Sequence, residues 1–523
     1  MYSPNQHETR RPVIAVIGGG ASGTLTAIHL LRLAAAGRPP VRIALIDAFG
    51  RHGLGQAYST THPGHLLNAP AGTMSAVAGD PDQLLRWATA NHLAHDGFLR
   101  RSDYGHYLRD TLAEAARRAA PASTVTSVTA QVVRISDCAP RHPLRLHLAA
   151  DGHVDADIAV LAVGSPAPAA PCPVPDSPRY IADPWAPGAL CRASDGRPVV
   201  VLGTGLTAMD VAIAVTDAHP RTVVHAVSRH ALLPRAHRTR TEPGRPTWLP
   251  ALAGPGGPVR LGELMWQVRT AVSDRPEAWE EIMDALRPHV PRLWQRLTVA
   301  DRQVFLRHVA RYWEVHRHRM PPQTARRVSA LLGTGRLSVH AGQVRAVTAE
   351  SGALRVRIEY GAGPGFGPAA RASTRYAAVA GEGTVAASGT AHSPSTTRAA
   401  GTAHTAGTGH AAGTCVEYEA GWLINATGPD GDITRTSDPL LRDLFDRGLA
   451  RPDPLRLGLD ATPSGTVLNA AGRPSGTLFT LGPPLRGLWY ETTAIPEIRT
   501  QAAALALRLT AAALVPARRG TAA

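Results

Sequence analysis

Three glycines near residue 20 have the spacing of a phosphate-binding turn. Gly18, Gly20 and Gly23 follow a β-branched run at residues 13 to 17 and precede a helical pattern of apolar residues that continues through Leu33. Gly18 allows a tight turn, Gly20 lets the backbone approach a pyrophosphate, and Gly23 lets the helix pack closely on the strand. The spacing therefore predicts a site that binds the phosphates of a nucleotide.

An acidic residue ends the next predicted strand. The helical pattern is followed by VRIALID, which ends in Asp47. The first N–H groups of the helix, at Ala21 and Ser22, would bind phosphate oxygens, and Asp47 can accept hydrogen bonds from a ribose 2′-hydroxyl. A glycine pattern alone is weak evidence, but strand, helix, strand and acid in this order predict a dinucleotide-binding fold rather than a generic glycine-rich turn.

A second glycine pattern follows the apolar run at residues 198 to 202. Its members are Gly203, Gly205, Thr207 and Ala208, and a helical pattern continues from them. The spacing is that of the first pattern with alanine in the third glycine position, so it predicts a second dinucleotide-binding fold.

The strand after this second pattern ends without an acid. TVVHAV is followed by Ser228 and Arg229, where a site for NAD would place a carboxylate. A serine and an arginine suit the 2′-phosphate of NADP, because a guanidinium makes charge-assisted hydrogen bonds to phosphate. The alternative is a solvated arginine at a strand end.

Two dinucleotide folds in one chain, the first with an acid and the second with an arginine, predict FAD in the first and NADPH in the second. The predicted fold class is α/β, with two Rossmann-like dinucleotide-binding domains, a helical insertion and a disordered loop. Residues 1–166 are predicted to form the first part of the FAD domain, and residues 167–258 the NADP domain. Residues 259–345 are predicted to form a helical region that could cap the substrate and return to the nucleotide domains, and residues 361–414 a disordered insertion. Residues 346–360 and 415–523 are predicted to form a strand pair, the domain return and the second part of the FAD domain.

The segment from 361 to 414 consists mainly of Gly, Ala, Thr, Ser and Pro, with almost no bulky apolar residue. Such a composition cannot bury enough surface to offset the entropy of ordering, so the segment is predicted to be disordered. His392, His404 and His410 within it lack carboxylate or cysteine partners, so no metal site is predicted.

Composition narrows the class of protein. The chain of 523 residues has a formal net charge of +15 and contains no lysine, so all 55 basic residues are arginines, and these are scattered rather than clustered. This distribution argues against a nucleic-acid partner and favours a small acidic ligand. None of the 4 cysteines forms a C-x-x-C pair, and no signal peptide or apolar membrane segment is visible. These features predict a cytoplasmic protein that acts on a small molecule, does not bind membranes, and could form a homo-oligomer.

With both folds placed, the chain resembles flavin-dependent monooxygenases with FAD and NADPH Rossmann domains, a group that includes the N-hydroxylating enzymes. The likeness is closest to a bacterial FAD/NAD(P)-binding subfamily. The stretches that carry it are VIGGGASG, GLGQAYSTTHPGHLLNAPAGTMSA, VVLGTGLTAMDVA, VSRHALLPRAH, RYWEVHRHRMPP, LINATGP and LGPPLRGLWYETTAIPEIRTQA.

The resemblance implies an enzyme that uses NADPH, O₂ and FAD. In this group, NADPH reduces the flavin, oxygen forms a flavin C4a-hydroperoxide, and a hydroxyl passes to a nucleophilic substrate atom. The expected substrate atom is the amine nitrogen of a small polar molecule such as an acidic amino acid, as in the L-aspartate N-monooxygenase type that forms nitrosuccinate. The alternatives are C-hydroxylation of an electron-rich heterocycle such as urate, and a flavin oxidoreductase that uses NADPH without oxygenating a substrate.

The resemblance also implies flavin contacts in the irregular segment from 57 to 76. By position, Tyr58, His65, Asn68 and Met74 would line the isoalloxazine ring, with Asn68 and Met74 nearest the chemistry. Irregular backbone suits this role, because its N–H and C=O groups can bond to the polar edge of the ring. The alternative is a packed loop that does not contact the ligand.

Two further groups of residues are expected to stabilise or bind negative charge. A helix that begins near Thr492 or Thr493 would stabilise negative charge at the pyrimidine edge of the reduced flavin. Arg317 and Arg319, in HRHRM, could hold a substrate carboxylate through paired hydrogen bonds. For these arginines the alternative is an exposed basic helix end, which the helix dipole would favour.

Overall fold

The computed structural model describes residues 11–93, 96–137, 143–238, 257, 259–350, 352–361 and 413–512. The chain divides into two compact units. Unit 1 comprises residues 1–167, 239–313 and 429–523, and unit 2 comprises residues 168–238 and 314–428.

The limits of the two units do not coincide with all of the predicted domain limits. The region from 259 to 345, predicted as a helical region that could cap the substrate and return to the nucleotide domains, is divided between the units after residue 313, and the strand pair predicted to accompany the second part of the FAD domain belongs to unit 2. The reason is strand pairing, because these strands extend the sheet of unit 2.

Unit 1 is built on a six-stranded sheet. Its strands are β1 (Val13–Ile17), β2 (Arg42–Asp47), β3 (Thr124–Thr129), β7 (Ile158–Leu161), β15 (Thr466–Leu468) and β16 (Pro474–Thr480). They lie in the order β15-β16-β7-β1-β2-β3, and every neighbouring pair is parallel except β15 with β16. A separate antiparallel sheet contains β4 (Val132–Asp137), β5 (Leu144–Leu148) and β6 (His153–Ala156).

The part of unit 1 that the structure describes also contains helices. They are α1 (Ala21–Ala35), α2 (Gln83–Ala90), α3 (Arg101–Ala119), α6 (Leu261–Asp274), α7 (Trp279–Leu286), α8 (Val290–Arg296), α9 (Val299–Val304), α12 (Pro439–Asp446), α13 (Arg486–Trp489) and α14 (Ile495–Ala512). Helix α1 packs against both α3 and α14, and its apolar residues lie in the core of the unit. The start of α1 is thereby fixed at the carboxyl ends of the parallel strands.

Unit 2 is built on a seven-stranded sheet. Its strands are β8 (Tyr180–Ile181), β9 (Val199–Leu202), β10 (Val224–Ser228), β11 (Leu337–Glu350), β12 (Ala353–Tyr360), β13 (Cys415–Ala420) and β14 (Trp422–Asn425). The order is β13-β12-β11-β10-β9-β14-β8, parallel from β11 to β8 and antiparallel from β11 to β13. The helices of unit 2 are α4 (Ala189–Arg192), α5 (Leu206–Ala218) and α11 (Pro322–Gly333), and α10 (Ala310–Arg317) begins in unit 1 and ends in unit 2.

These elements confirm the predicted α/β class with two Rossmann-like folds. The residues of the predicted insertion from 362 to 412 lie outside the described residues, as do the three histidines within them. The flanking strands are paired up to that point, because Gly413 N–H donates to Tyr360 O at 2.7 Å.

Helix α1 carries a buried histidine. His29 is only 7% exposed, and within the described part of the chain its Nε2 has no hydrogen-bond partner. Burial, followed by the positive charge of Arg32, lowers its pKa from 6.5 to about 4, although a hydrogen bond with the backbone of Ala76 acts in the opposite direction. The folded protein therefore holds His29 neutral.

We expect this histidine to weaken the fold as the pH falls. Between pH 6.5 and about 4 the unfolded chain binds a proton that the folded chain does not, so its contribution to the free energy of unfolding is complete above that range and declines through it, by about 3 kcal/mol in total. Urea unfolding at several pH values should show that His29→Leu removes this part of the pH dependence. The exposed His106, replaced by leucine in the same way, should leave the dependence unchanged, and equal profiles for the two variants would contradict the assignment.

Candidate functional site

The glycine turn of unit 1 connects β1 to α1 through backbone contacts that leave no room for side chains. Gly18 has a φ of +113°, and a Cβ there would lie 2.1 Å from Ala162 O. A Cβ on Gly23 would lie 1.9 Å from Gly18 O. These two glycines therefore make the tight turn and the close helix packing that the sequence predicts.

The middle glycine has a neighbour that the sequence did not predict. A Cβ on Gly20 would lie 3.5 Å from the Cα of Gly55, and one on Gly55 would lie 2.7 Å from the Cα of Gly20. In addition, Gly53 N–H donates to Gly19 O at 2.9 Å. The segment after β2 therefore packs its backbone directly on the turn, and a branched side chain at Gly20 would disturb this contact.

Asp47 fastens this arrangement with both carboxylate oxygens. Its Oδ2 accepts the N–H of Gly19 at 3.0 Å, and its Oδ1 accepts the N–H groups of Phe49 at 3.0 Å and Arg51 at 2.9 Å. Asp47 thus has a structural role in addition to its predicted contact with ribose. A ribose hydroxyl would share the remaining lone pairs of this carboxylate.

Both glycine turns lead into helices whose first N–H groups have no side-chain cap. Helix α1 follows Gly20 and α5 follows Gly205, and neither has an acidic residue in its first turn. Such ends carry partial positive charge and can bind anions, and the contact of Ala21 and Ser22 with a pyrophosphate stays a prediction. At Gly205 a Cβ would meet nothing within 4 Å, which leaves the approach to α5 open. The two turns therefore fit dinucleotide phosphates.

In unit 2, hydroxyl groups occupy the place that the carboxylate has in unit 1. Ser228, at the end of β10, lies 2.9 Å from the hydroxyl of Thr204 through its Oγ, and that Oγ also accepts the N–H of Ala231 at 3.1 Å. Arg229 is exposed, and the described part of the chain gives its side chain no hydrogen bond or ion pair. Its charge is thus open to solvent next to the turn.

The other two members of the second pattern lie on α5. Ala208 is fully buried in the core of unit 2, where its small side chain permits close packing, and Thr207 is half-buried. Ala208 therefore matches the packing role of the third glycine position.

The irregular segment from 57 to 76 is fastened to α3 by tyrosines. The hydroxyl of Tyr104 donates to Met74 O at 2.8 Å, and that of Tyr107 accepts the N–H of Ala76 at 2.7 Å. Burial raises the pKa of both tyrosines, so their hydroxyls keep their protons. Met74 itself is 4% exposed and packs in the core. These contacts favour a packing role for Met74, and its predicted contact with the flavin stays a prediction.

The remaining predicted flavin neighbours occupy different surroundings. Tyr58 is half-buried and makes an edge-to-face contact with Tyr104 at 4.7 Å between ring centroids. His65 is buried and its Nδ1 lies 2.7 Å from the hydroxyl of Thr60. Asn68 is half-buried. The structure thus places all of them in unit 1, and their contacts with a flavin stay predictions.

A closed ring of hydrogen bonds joins Gly482 and Thr492 to α14, and Gly482 lies close to the start of α1. Gly482 N–H donates to Gln501 Oε1 at 2.8 Å, Gln501 Nε2 donates to the hydroxyl of Thr492 at 2.7 Å, and that hydroxyl donates to Gly482 O at 3.0 Å. A Cβ on Gly482 would lie 2.5 Å from Ser22 Oγ. Sequence reasoning missed Gln501, because no local pattern links it to a glycine 19 residues earlier.

The predicted helix begins slightly later than the sequence indicated. It starts at Ile495, with Thr492 buried and Thr493 exposed just before it. Tyr490 precedes them with φ +58° and ψ −60°, and Glu491 N–H donates to Trp489 O at 2.7 Å. These values define a strained γ-turn. The strain is held by packing, because the ring of Tyr490 stacks on Trp294 at 4.7 Å.

The two arginines of HRHRM lie at the end of α10 in unit 2. Arg317 is 8% exposed and Arg319 is 4% exposed, so the alternative interpretation as an exposed basic helix end is wrong. The backbone around them pairs with the segment after β10, since Met320 N–H donates to Arg235 O at 2.7 Å. The predicted substrate carboxylate stays a prediction.

Together, the two turns define a fold that binds two dinucleotides, and comparison with known proteins agrees. Residues 15–166 match the family described as FAD-NAD(P)-binding. This match supports the prediction of FAD with a nicotinamide dinucleotide. No curated protein sequence matches the chain.

Solved structures share the fold across nearly the whole chain. An L-lysine 6-monooxygenase from Pseudomonas syringae covers 96% of this chain and 100% of its own, with 14% identity and a TM-score of 0.60. An ornithine N-hydroxylase from Kutzneria sp. 744, described with reduced FAD, NADP⁺ and L-ornithine, covers 96% and 99% with 14% identity and a TM-score of 0.56. A cadaverine monooxygenase from Erwinia amylovora, bound to FAD, covers 98% of each chain with 11% identity and a TM-score of 0.58. The resemblance to N-hydroxylating flavin monooxygenases is thus confirmed at the level of fold.

Among the described residues, no helix has both the length and the apolar character that crossing a membrane requires.

Proposed function

We propose that this chain is an NADPH- and O₂-dependent FAD monooxygenase that hydroxylates the amine nitrogen of a small polar molecule. One observation carries the proposal: the fold that spans 96% or more of the chain is shared with enzymes whose descriptions name ornithine, lysine and cadaverine. The two dinucleotide turns lie within this shared fold, and their uncapped helix starts support the binding of two dinucleotides.

The stoichiometry of the reaction determines which molecules the protein must bind. NADPH, a proton, O₂ and a primary amine give NADP⁺, water and a hydroxylamine, so one oxygen atom enters the product and the other enters water. Bound FAD supplies the hydride acceptor and the group that activates oxygen. The protein must therefore bind two dinucleotides, hold the amine and exclude water.

The residues of unit 1 would hold the flavin dinucleotide. The first N–H groups of α1 would bind the pyrophosphate, and Asp47 would accept a hydrogen bond from the ribose. The start of α14, fixed by Thr492 and Gln501, would present its positive end to the pyrimidine edge of the flavin.

The residues of unit 2 would hold NADPH. Gly205 leaves the approach to α5 open, and Arg229 offers an exposed guanidinium close to the end of β10. Because a neutral serine replaces the acid at that strand end, the charge of Arg229 is not compensated there. This combination favours the 2′-phosphate of NADPH over the bare ribose of NADH.

For the substrate, we propose an amine that also carries a carboxylate. Arg317 and Arg319 are buried arginines two positions apart, and an arginine can bind a carboxylate through two parallel hydrogen bonds. An acidic amino acid such as L-aspartate is the candidate in this class. The amine must reach the site in its neutral form, since only the free electron pair of nitrogen can accept oxygen.

The test is a screen of NADPH oxidation against acidic, basic and neutral amino acids, diamines and purines, with hydrogen peroxide and products measured in parallel. A hydroxylamine or a more oxidised nitrogen product, formed with NADPH consumption, supports the proposal. A hydroxylated ring would favour the heterocycle hydroxylase. Peroxide alone with every substrate would favour the oxidoreductase that does not oxygenate a substrate.

Arg229 should determine the choice of coenzyme. Hydrogen bonds to a charged group contribute about 1.5–3 kcal/mol, so Arg229→Ala should raise the KM for NADPH by about 10- to 100-fold and leave that for NADH nearly unchanged. Initial rates with each coenzyme measure this. Arg221, an exposed arginine just before β10, is the matched control, and its alanine variant should behave like the parent. Equal losses with both coenzymes in Arg229→Ala would remove the assignment.

The arginines at the end of α10 should control how much of the NADPH oxidation leads to hydroxylated product rather than to hydrogen peroxide. With a carboxylate-bearing amine, Arg317→Ala or Arg319→Ala should lose about 2–5 kcal/mol of transition-state binding, while NADPH oxidation continues and its electrons appear in hydrogen peroxide. The ratio of product to peroxide measures this effect. Arg326→Ala, at an exposed position on α11, should keep the parent ratio. If both variants at 317 and 319 also kept it, the carboxylate contact would be wrong.

A further inference from the structure

An exposed aromatic ring lies two residues beyond Asp47. Phe49 is 76% exposed, the largest value among the exposed bulky apolar residues that the structure describes. Single apolar side chains at a surface are common, and exposure alone carries no meaning. What sets Phe49 apart is the rigidity and chemistry of its surroundings.

The backbone that carries this ring is fixed to the candidate ribose-binding acid. Asp47 Oδ1 accepts the N–H of Phe49 at 3.0 Å and that of Arg51 at 2.9 Å. Between them, Gly50 has a φ of +67°, and a Cβ there would lie 3.0 Å from the hydroxyl of Thr129. The loop is thus held on both sides of Gly50 by the carboxylate, and Gly50 itself lies close to the end of β3. An exposed ring on such a loop has a defined position.

One side of the ring is already paired with a positive charge. The guanidinium carbon of Arg51 lies 5.1 Å from the ring centroid of Phe49, within the range of a cation–π contact. This contact orients the ring while its high exposure leaves a large aromatic surface open.

The covalent order of a dinucleotide indicates what should lie there. If the pyrophosphate sits at the start of α1 and the ribose sits at Asp47, the base attached to that ribose comes next, beyond the acid. We propose that Phe49 stacks on the adenine ring of FAD, with Arg51 holding the phenyl ring in place. This proposal rests on the proposed FAD site of unit 1. Flat aromatic bases stack well on such rings, and the contact depends on aromatic character rather than on hydrogen bonding.

The test measures FAD binding to the full chain after removal of the flavin. Phe49→Ala should weaken FAD binding by about 10- to 100-fold, the size expected for one base stacked on one aromatic side chain. Phe49→Trp should bind as tightly as the parent, and Phe49→Leu should fall in between, because leucine covers apolar surface without an aromatic face. Trp266→Ala, which removes another ring that is 67% exposed, is the matched control and should bind FAD like the parent.

The thermal midpoint of the flavin-free protein separates stacking from folding. Because the ring is exposed, Phe49→Ala should leave that midpoint unchanged. Unchanged FAD affinity in Phe49→Ala, equal affinities for the alanine and tryptophan variants, or a loss of affinity matched by a fall in the midpoint would each overturn the proposal. A parent protein that binds no FAD would overturn the proposed flavin site itself, and this inference with it.

Discussion

The architecture of unit 1 around its glycine turn depends on the hydrogen bonds that the carboxylate of Asp47 accepts. Three backbone N–H groups converge on it, from the glycine turn on one side and from the following loop on the other. Hydrogen bonds to a charged acceptor are stronger than neutral ones, and a backbone donor left without its partner costs about 1–3 kcal/mol. This one side chain therefore joins the turn to the loop after β2, which carries the exposed ring of Phe49.

Unit 2 repeats the same turn with different electrostatics. Gly203 has a φ of +111° and Gly18 one of +113°, and in each case a Cβ would strike a carbonyl just beyond a neighbouring strand, that of Ala426 at 2.4 Å or Ala162 at 2.1 Å. In unit 1 the turn is fastened by a carboxylate, whereas in unit 2 the hydroxyls of Thr204 and Ser228 meet at 2.9 Å. The same backbone turn thus lies beside a negatively charged carboxylate in unit 1 and beside uncharged hydroxyls in unit 2. This difference supports FAD in unit 1 and, in unit 2, a dinucleotide that carries a 2′-phosphate on its ribose, such as NADPH.

Features that depend on neighbouring residues could be predicted from the sequence, whereas contacts between residues far apart along the chain are seen only in the structure. The limits of β1 and β9 follow from short apolar runs beside glycines, and those of β2 and β10 follow from apolar runs that reach Asp47 and Ser228, so they could be predicted closely. The approach of Gly55 to Gly20 and the bond from Gly482 to Gln501 join positions that no motif connects, so only the folded chain shows them. The burial of Arg317 could not be predicted either, since its segment is buried by tertiary pairing with the residues after β10 rather than by its own pattern.

Two bound dinucleotides allow the protein to pass electrons from NADPH to FAD. The most direct measurement is the anaerobic reduction of protein-bound flavin, followed by its absorbance after mixing with NADPH or NADH. We expect about one FAD in each purified chain, reduced far faster by NADPH than by NADH. A protein that carries FAD but does not reduce it with NADPH, or one that binds no flavin, would show that these two sites are wrongly assigned.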